Sequence, residues 1–226
     1  MTFSAVAQEQ DHSAEHGGQF YHRFQLEAGP GMDENNRHLY SGELDGWIGT
    51  DENRLRIDSN IFRAGAATEQ VGIKLLYSRN LSTFWDLQFG LRQDTRPETT
   101  TTYLTFGFEG LAPYFFATEM HLFVSEQGDV SLQLRQENEL LLTQRLILQP
   151  FLQASLFMQD VPELNAGAGL GEAEIGLQLR FEFTRKFAPF AQIKYEHKFG
   201  DTASMAIVKG RDRNTISAIF GLRLLF

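Results

Sequence analysis

Near the end of the chain Ile216, Ala218, Phe220, Leu222, Leu224 and Phe226 fall on one parity, while Ser217, Gly221 and Arg223 fall on the other. A helix of 3.6 residues per turn would scatter those six apolar side chains around its circumference, whereas a strand places them on one face. Upstream, Glu172, Glu174, Gln178, Arg180 and Glu182 alternate in the same way with Ala173, Ile175, Leu177, Leu179, Phe181 and Phe183. Applied along the whole chain, the period-two test predicts twelve strands, at about 20–29, 39–49, 53–62, 69–78, 84–93, 101–109, 114–126, 129–140, 147–159, 170–183, 189–199 and 214–226. Residues 1–19 precede them as a polar tail.

The connections tend to alternate in length. Long polar segments follow most odd-numbered strands (Pro30 to His38, Asp94 to Thr100, Asp160 to Gly169, Gly200 to Arg213), although only Gln127 and Gly128 follow the seventh. Short ones follow the even-numbered strands: Thr50 to Glu52, Arg79 to Thr83, Gly110 to Pro113, Leu141 to Leu146 and Thr184 to Ala188. Long loops at one end and tight turns at the other is the habit of outer-membrane barrels. The prolines agree, with Pro30, Pro97 and Pro162 in long loops and Pro113, Pro150 and Pro189 near strand starts, where a missing N–H is tolerated.

Composition narrows the choice. The 226 residues contain no cysteine, 20 Lys plus Arg and 29 Asp plus Glu, for a net charge of -9. That balance argues against nucleic acid as a partner, because phosphate binding needs a basic surface. Without cysteine there are no disulfides, thiolate metal sites or thiol nucleophiles, so any metal must rest on His, Met, carboxylate or backbone oxygen. The longest uncharged run, Leu146 to Gln159, is too short and too interrupted for a helical span. The mean hydropathy of -0.28 nevertheless leaves a membrane barrel open, since alternation averages its oily face away.

The polar parity carries twelve acids, including Asp58, Asp86, Glu109, Glu119, Glu174, Glu182 and Glu196, and ten bases, including Arg54, Arg56, Arg135, Arg180, Lys194 and Arg223. A soluble barrel would turn this face to water and pack the oily one inward. Twelve strands, however, enclose more than inward side chains can fill. Aromatics gather at strand ends, among them Phe20, Tyr21, Phe84, Trp85, Tyr114, Phe115 and Phe199, as interfacial girdles do. The expected fold is therefore all-β, a transmembrane antiparallel up-and-down barrel over 20–226, its outer face against outer-membrane lipid and its lumen charged. Short turns and both termini are expected on the periplasmic side. With acids and bases nearly balanced inside, the net charge belongs chiefly to loops, turns and tail. The final Phe226 resembles the terminal aromatic by which such barrels are recognised for assembly.

Several blocks in fixed order resemble the outer-membrane copper resistance protein B family. They are Gly46-Trp47-Ile48-Gly49-Thr50-Asp51-Glu52-Asn53-Arg54-Leu55, Leu76-Tyr77-Ser78-Arg79 with Phe84-Trp85-Asp86-Leu87-Gln88, and Gly110-Leu111-Ala112-Pro113-Tyr114-Phe115. Further along come Ser125-Glu126-Gln127-Gly128-Asp129-Val130, Leu140 to Pro150, and Phe187-Ala188-Pro189 before Lys198 to Ala203. The resemblance implies a Gram-negative outer-membrane protein of copper tolerance that passes or binds copper and deals with a periplasmic copper-handling protein. Family members often carry a Met- and His-rich segment ahead of the barrel. Here the first nineteen residues hold only Met1, His12 and His16, and no apolar leader, so a mature or trimmed form is expected.

Copper(I) favours thioether and imidazole, and copper(II) favours imidazole and oxygen. By parity Met120 and Met158 face lipid, and Met32 and Met205 fall in long loops, so no methionine ladder descends the lumen. His121 is a lumen-side imidazole near mid-strand, with Glu119 about 7 Å away along the same face; sharing an ion and pairing with a neighbouring Arg are both open to them. His12 and His16 have helical i, i+4 spacing beside Asp11 and Glu15, and otherwise form part of a solvated tail. Met32 and His38 share the first long loop with Asp33 and Glu34, a weaker surface site, while His22 and His197 fit the membrane interface. Enzyme motifs are lacking, and Ser125 lies about 13 Å from His121 on an extended strand, too far for activation. The leading expectation is copper passage or export through a charged lumen without covalent chemistry. Copper sequestration by tail and loops, and a general small cation pore, are the alternatives.

Overall fold

The computed structural model describes residues 19–65, 67–97 and 99–226. Strands β1 (Tyr21–Asp33), β2 (His38–Gly49), β3 (Asn53–Ala64), β4 (Ala67–Ser82), β5 (Trp85–Thr95), β6 (Thr100–Ala112), β7 (Phe116–Ser125) and β8 (Val130–Glu137) are followed by β9 (Leu140–Leu141), β10 (Leu146–Phe157), β11 (Gly169–Phe181), β12 (Phe187–Lys198) and β13 (Asn214–Leu225). The two-residue β9 resumes the line of β8 after a break at Asn138 and Glu139, and both pair with β10. The thirteen segments therefore make twelve antiparallel staves. The ring closes where β1 pairs with β13, from Gln25↔Leu225 to Asp33↔Ser217. Twelve residues at about 3.3 Å each and a tilt of about 40° stand about 30 Å high, the thickness of a bilayer core.

Alternation sorts the two faces as expected. Ile73, Leu75, Phe89, Leu91, Leu104, Phe106, Ile175 and Leu177 point outward and are exposed, while Gln88, Thr105, His121 and Gln178 point inward and are buried. In water so large an apolar surface would be unstable; in lipid it is the solvated face, and closing the ring leaves no unpaired strand edge. No helix among the described residues is long and apolar enough to cross a membrane.

The loops differ from the sequence reading. β1 runs on to Asp33 and β5 to Thr95, so the first and third connections at that end are tight turns, and β4 extends to Ser82. Strand pairing recruited polar residues whose composition reads as loop. Pro30 lies within β1, and the missing N–H is accommodated because β1/β13 pairing lapses between Ala28↔Leu222 and Gly31↔Ile219. Only the connections after β10 and β12 are long. The second contains α1 (Gly200–Val208), expected as loop. Its Thr202, Ala203 and Ala206 form one buried face, and Thr202 Oγ1 accepts a hydrogen bond from the Gly167 N–H at 2.8 Å, which seats the helix against the other long loop at the barrel mouth. The tail expected over 1–19, His12 and His16 included, lies outside the described residues apart from Gln19.

Candidate functional site

A water-accessible cavity of about 1060 Å³ runs inside the ring, with lining residues at both rims, Arg23 and Phe115 at one and Arg37 and Lys209 at the other. Its wall is built from rows of side chains in register across neighbouring strands. One row runs Gln88↔Gly107↔His121 over β5, β6 and β7. Glycine in the middle lets the flanking side chains meet: a Cβ on Gly107 would fall 2.4 Å from His121 Cδ2 and 2.4 Å from the Met120 carbonyl oxygen. Across that gap His121 Nε2 lies 2.7 Å from Gln88 Oε1, and Gln88 Nε2 donates to Glu109 Oε2 at 2.5 Å.

This chain of contacts fixes the imidazole. Since the Gln88 amide donates to a carboxylate, its oxygen faces His121, so Nε2 carries the proton and Nδ1 keeps a lone pair. Backing a histidine N–H with a fixed acceptor is how metal-ligating imidazoles are oriented. Phe123 adds a wall, its ring centre 5.9 Å from that of His121. Glu119, one step along the same face, sits in register between Glu109 and Arg135. Its carboxylate has no hydrogen bond or ion pair within 4 Å among the described residues, because Arg135 turns instead to Glu43 at 3.6 Å and Glu137 at 3.3 Å.

The remaining lumen charges are mostly paired. Arg54 meets Asp86 at 3.1 Å and lies over the Trp47 ring. Arg56 meets Asp45 at 2.6 Å and also Glu109, Lys74 meets Asp58 at 3.1 Å, and Lys194 meets Glu174 at 3.1 Å. Lys198 pairs with Glu196. Nearer the rim at which β13 ends, Arg180 bridges Glu139 at 2.7 Å and Glu182 at 3.5 Å, and Arg223 bridges Glu27 at 2.5 Å. The paired network is thus the arrangement adopted by most of these residues, with Glu119 as an exception.

The other candidates fall elsewhere. Met32 and His38 do not share a loop: they are register partners on β1 and β2, exposed on the outer side of the wall. Asp33 points the opposite way, buried, and binds Arg37 at 2.6 Å, so it does not join them. Met205 is half-buried on α1 rather than in an irregular loop. His197 stacks edge-on against Phe199, centres 4.4 Å apart, in keeping with an interfacial place. The Ser125 hydroxyl accepts from the Gln127 and Asp129 N–H groups and so belongs to the β7–β8 turn. Among the described residues no three His, Cys, Asp or Glu side chains converge as a metal cage. Gln88 is the residue the sequence reading missed. Its signal was a glycine on lumen parity between two polar residues in register, visible only once pairing is known.

Comparison with other proteins agrees with this architecture. The family described as copper resistance protein B precursor (CopB) matches residues 23–226. The chain is 37% identical over 191 residues to copper resistance protein B of Escherichia coli, covering 84% of this chain and 64% of that one. It is 34% identical over 195 residues to a copper resistance protein B homolog of Pseudomonas syringae pv. tomato, covering 86% and 66%. The chain therefore spans just under two thirds of the length of these relatives, 64% and 66%. Among solved structures the NanC porin superposes with a TM-score of 0.61 at 13% identity, over 88% of this chain and 98% of that one. The KdgM porin does so at 0.55 and 7%, over the same shares of 88% and 98%. At such identities these two show the fold alone, that of an outer-membrane β-barrel. The sequence matches show more: the chain belongs to the copper resistance protein B family.

Proposed function

We propose that the protein carries copper across the outer membrane through its lumen, with His121 and Glu119 as a passing station, and that the traffic is export from the periplasm. The observation that carries this reading is the Glu109–Gln88–His121 contact chain beside the unpaired Glu119 carboxylate. An oriented imidazole nitrogen and a carboxylate supply two ligands, in keeping with copper's taste for imidazole and oxygen. Two ligands hold an ion briefly, whereas a storage site needs three or four. The role is that of a conduit without covalent chemistry.

In this reading the short turns and both termini face the periplasm, where a copper-handling protein delivers the ion to the rim, and α1 stands at the outer mouth. Flux of copper into liposomes holding the purified chain tests it. The paired change Glu119→Gln and His121→Gln is expected to abolish copper-dependent flux while the barrel still forms; unchanged flux would remove the station.

A further inference from the structure

Arg135 projects into the lumen from β8, the eighth stave, and Glu43 from β2, the second. Six staves apart in a ring of twelve, they stand diametrically opposite. Even so, Arg135 Nη1 comes within 3.6 Å of Glu43 Oε1. A circular ring of this many strands is too wide for two facing side chains to meet, so the contact implies a section flattened along this line, crossed by a strut. The other ion pairs among the described residues join walls no more than four staves apart, the widest being Arg223 to Glu139 at 3.9 Å.

The strut crosses the lumen at mid-height, with His121, Glu119 and Lys74 on the side walled by β3 to β7 and Gln153 and Glu174 on the side walled by β10 to β1. Both strut side chains are open to lumen water, with 33% and 50% of their surface exposed. An ion pair so wetted is weak and screened by salt, which makes it breakable. A fixed guanidinium at the centre of a pore also opposes cations, while the carboxylates around it attract them.

We propose that Arg135 determines conductance and ion selectivity in this lumen: its bridge to Glu43 divides the open section, and its charge opposes cation passage. The proposal rests on the lumen being the path, not on copper being the cargo. The test is single-channel recording of the purified chain in planar lipid bilayers in potassium chloride, without copper. Arg135→Gln and Glu43→Gln each break the bridge, so each is expected to raise conductance by about twofold or more. Their reversal potentials in a salt gradient are expected to move oppositely, toward cations for R135Q and toward anions for E43Q. The swap Arg135→Glu with Glu43→Arg restores the bridge and is expected to conduct like the parent. Heat-modifiable gel migration checks that each barrel has formed, and E43Q keeps the test open if R135Q does not fold. Parental conductance in the folded single variants, or a swap that conducts as they do, would overturn the proposal. Copper flux through E119Q/H121Q fails or survives independently of these currents, so the two readings fall separately.

Discussion

Gln88→Leu is the sharpest perturbation of the wall. Gln88 is 1% exposed and holds two contacts, one from its amide nitrogen to the Glu109 carboxylate and one from its amide oxygen to His121. Leucine nearly matches its volume, so the change isolates the polar contacts. A net hydrogen bond is worth about 1 kcal/mol, and one to a charged group about 1.5–3 kcal/mol. Glu109 keeps Arg56 and so is not stranded, which puts the expected loss of stability at about 2–4 kcal/mol. Freed of its acceptor, the imidazole can rotate and exchange tautomers, and loss of such backing typically weakens metal binding by about 10–100-fold. Urea titration of the folded barrel in micelles measures the first quantity, and copper flux across liposomes the second. A stability change under about 0.5 kcal/mol would refute the contact chain as drawn. Normal stability loss with undiminished copper flux would instead refute the claim that Gln88 orients a working ligand.

Three further outcomes follow from the same geometry. Gly107→Val places a Cβ against both the His121 ring and the Met120 backbone, and is expected to cost about 1–3 kcal/mol in the same titration, with His121 displaced; a barrel of parental stability would contradict the close approach. Arg223→Met leaves Glu27 with Gln25 and Gln178 as its hydrogen-bond donors but without its cation, an expected loss of about 2–4 kcal/mol for a largely enclosed pair, against which Arg23→Met on the exposed rim is expected to be silent. Thr202→Val strands the Gly167 N–H at about 1–3 kcal/mol, and limited proteolysis of intact cells or proteoliposomes is expected to cut the connections after β10 and β12 faster; unchanged cleavage would mean α1 is held by other contacts.

The barrel was legible because alternation is local: Ile216 to Phe226 declare their face without reference to anything distant. The lumen charges were legible for the same reason, since Arg56 and Glu109 sit on polar parity wherever their strands end up. What could not be read is who meets whom. Arg56 reaches Glu109 from β3 to β6, and Arg135 reaches Glu43 across the ring, and such meetings depend on stagger and cross-section. The loops misled because pairing overrode composition: Gly31, Met32 and Asp33 read as loop but were taken up opposite β13. α1 escaped notice because nine residues that mix small, polar and apolar side chains carry little period, and its burial comes from Gly167 and Gly171 crowding beneath it.

The seam between β1 and β13 has a consequence for how the molecule comes to exist. Gln25 and Leu225 are partners separated by 200 positions, whereas all other neighbouring staves are joined by a turn or a loop. Contacts of such sequence separation form late, because the chain entropy of bringing the ends together must be overcome before any bond rewards it. Until then β1 and β13 are both open edges, and open edges are not tolerated in hydrocarbon. Insertion and closure must therefore be coupled, with the backbone pairing of Phe226 and Phe24 in both directions completing the ring at the rim where β1 begins and β13 ends. A chain shortened by even its last few residues loses the latch rather than a fraction of the wall.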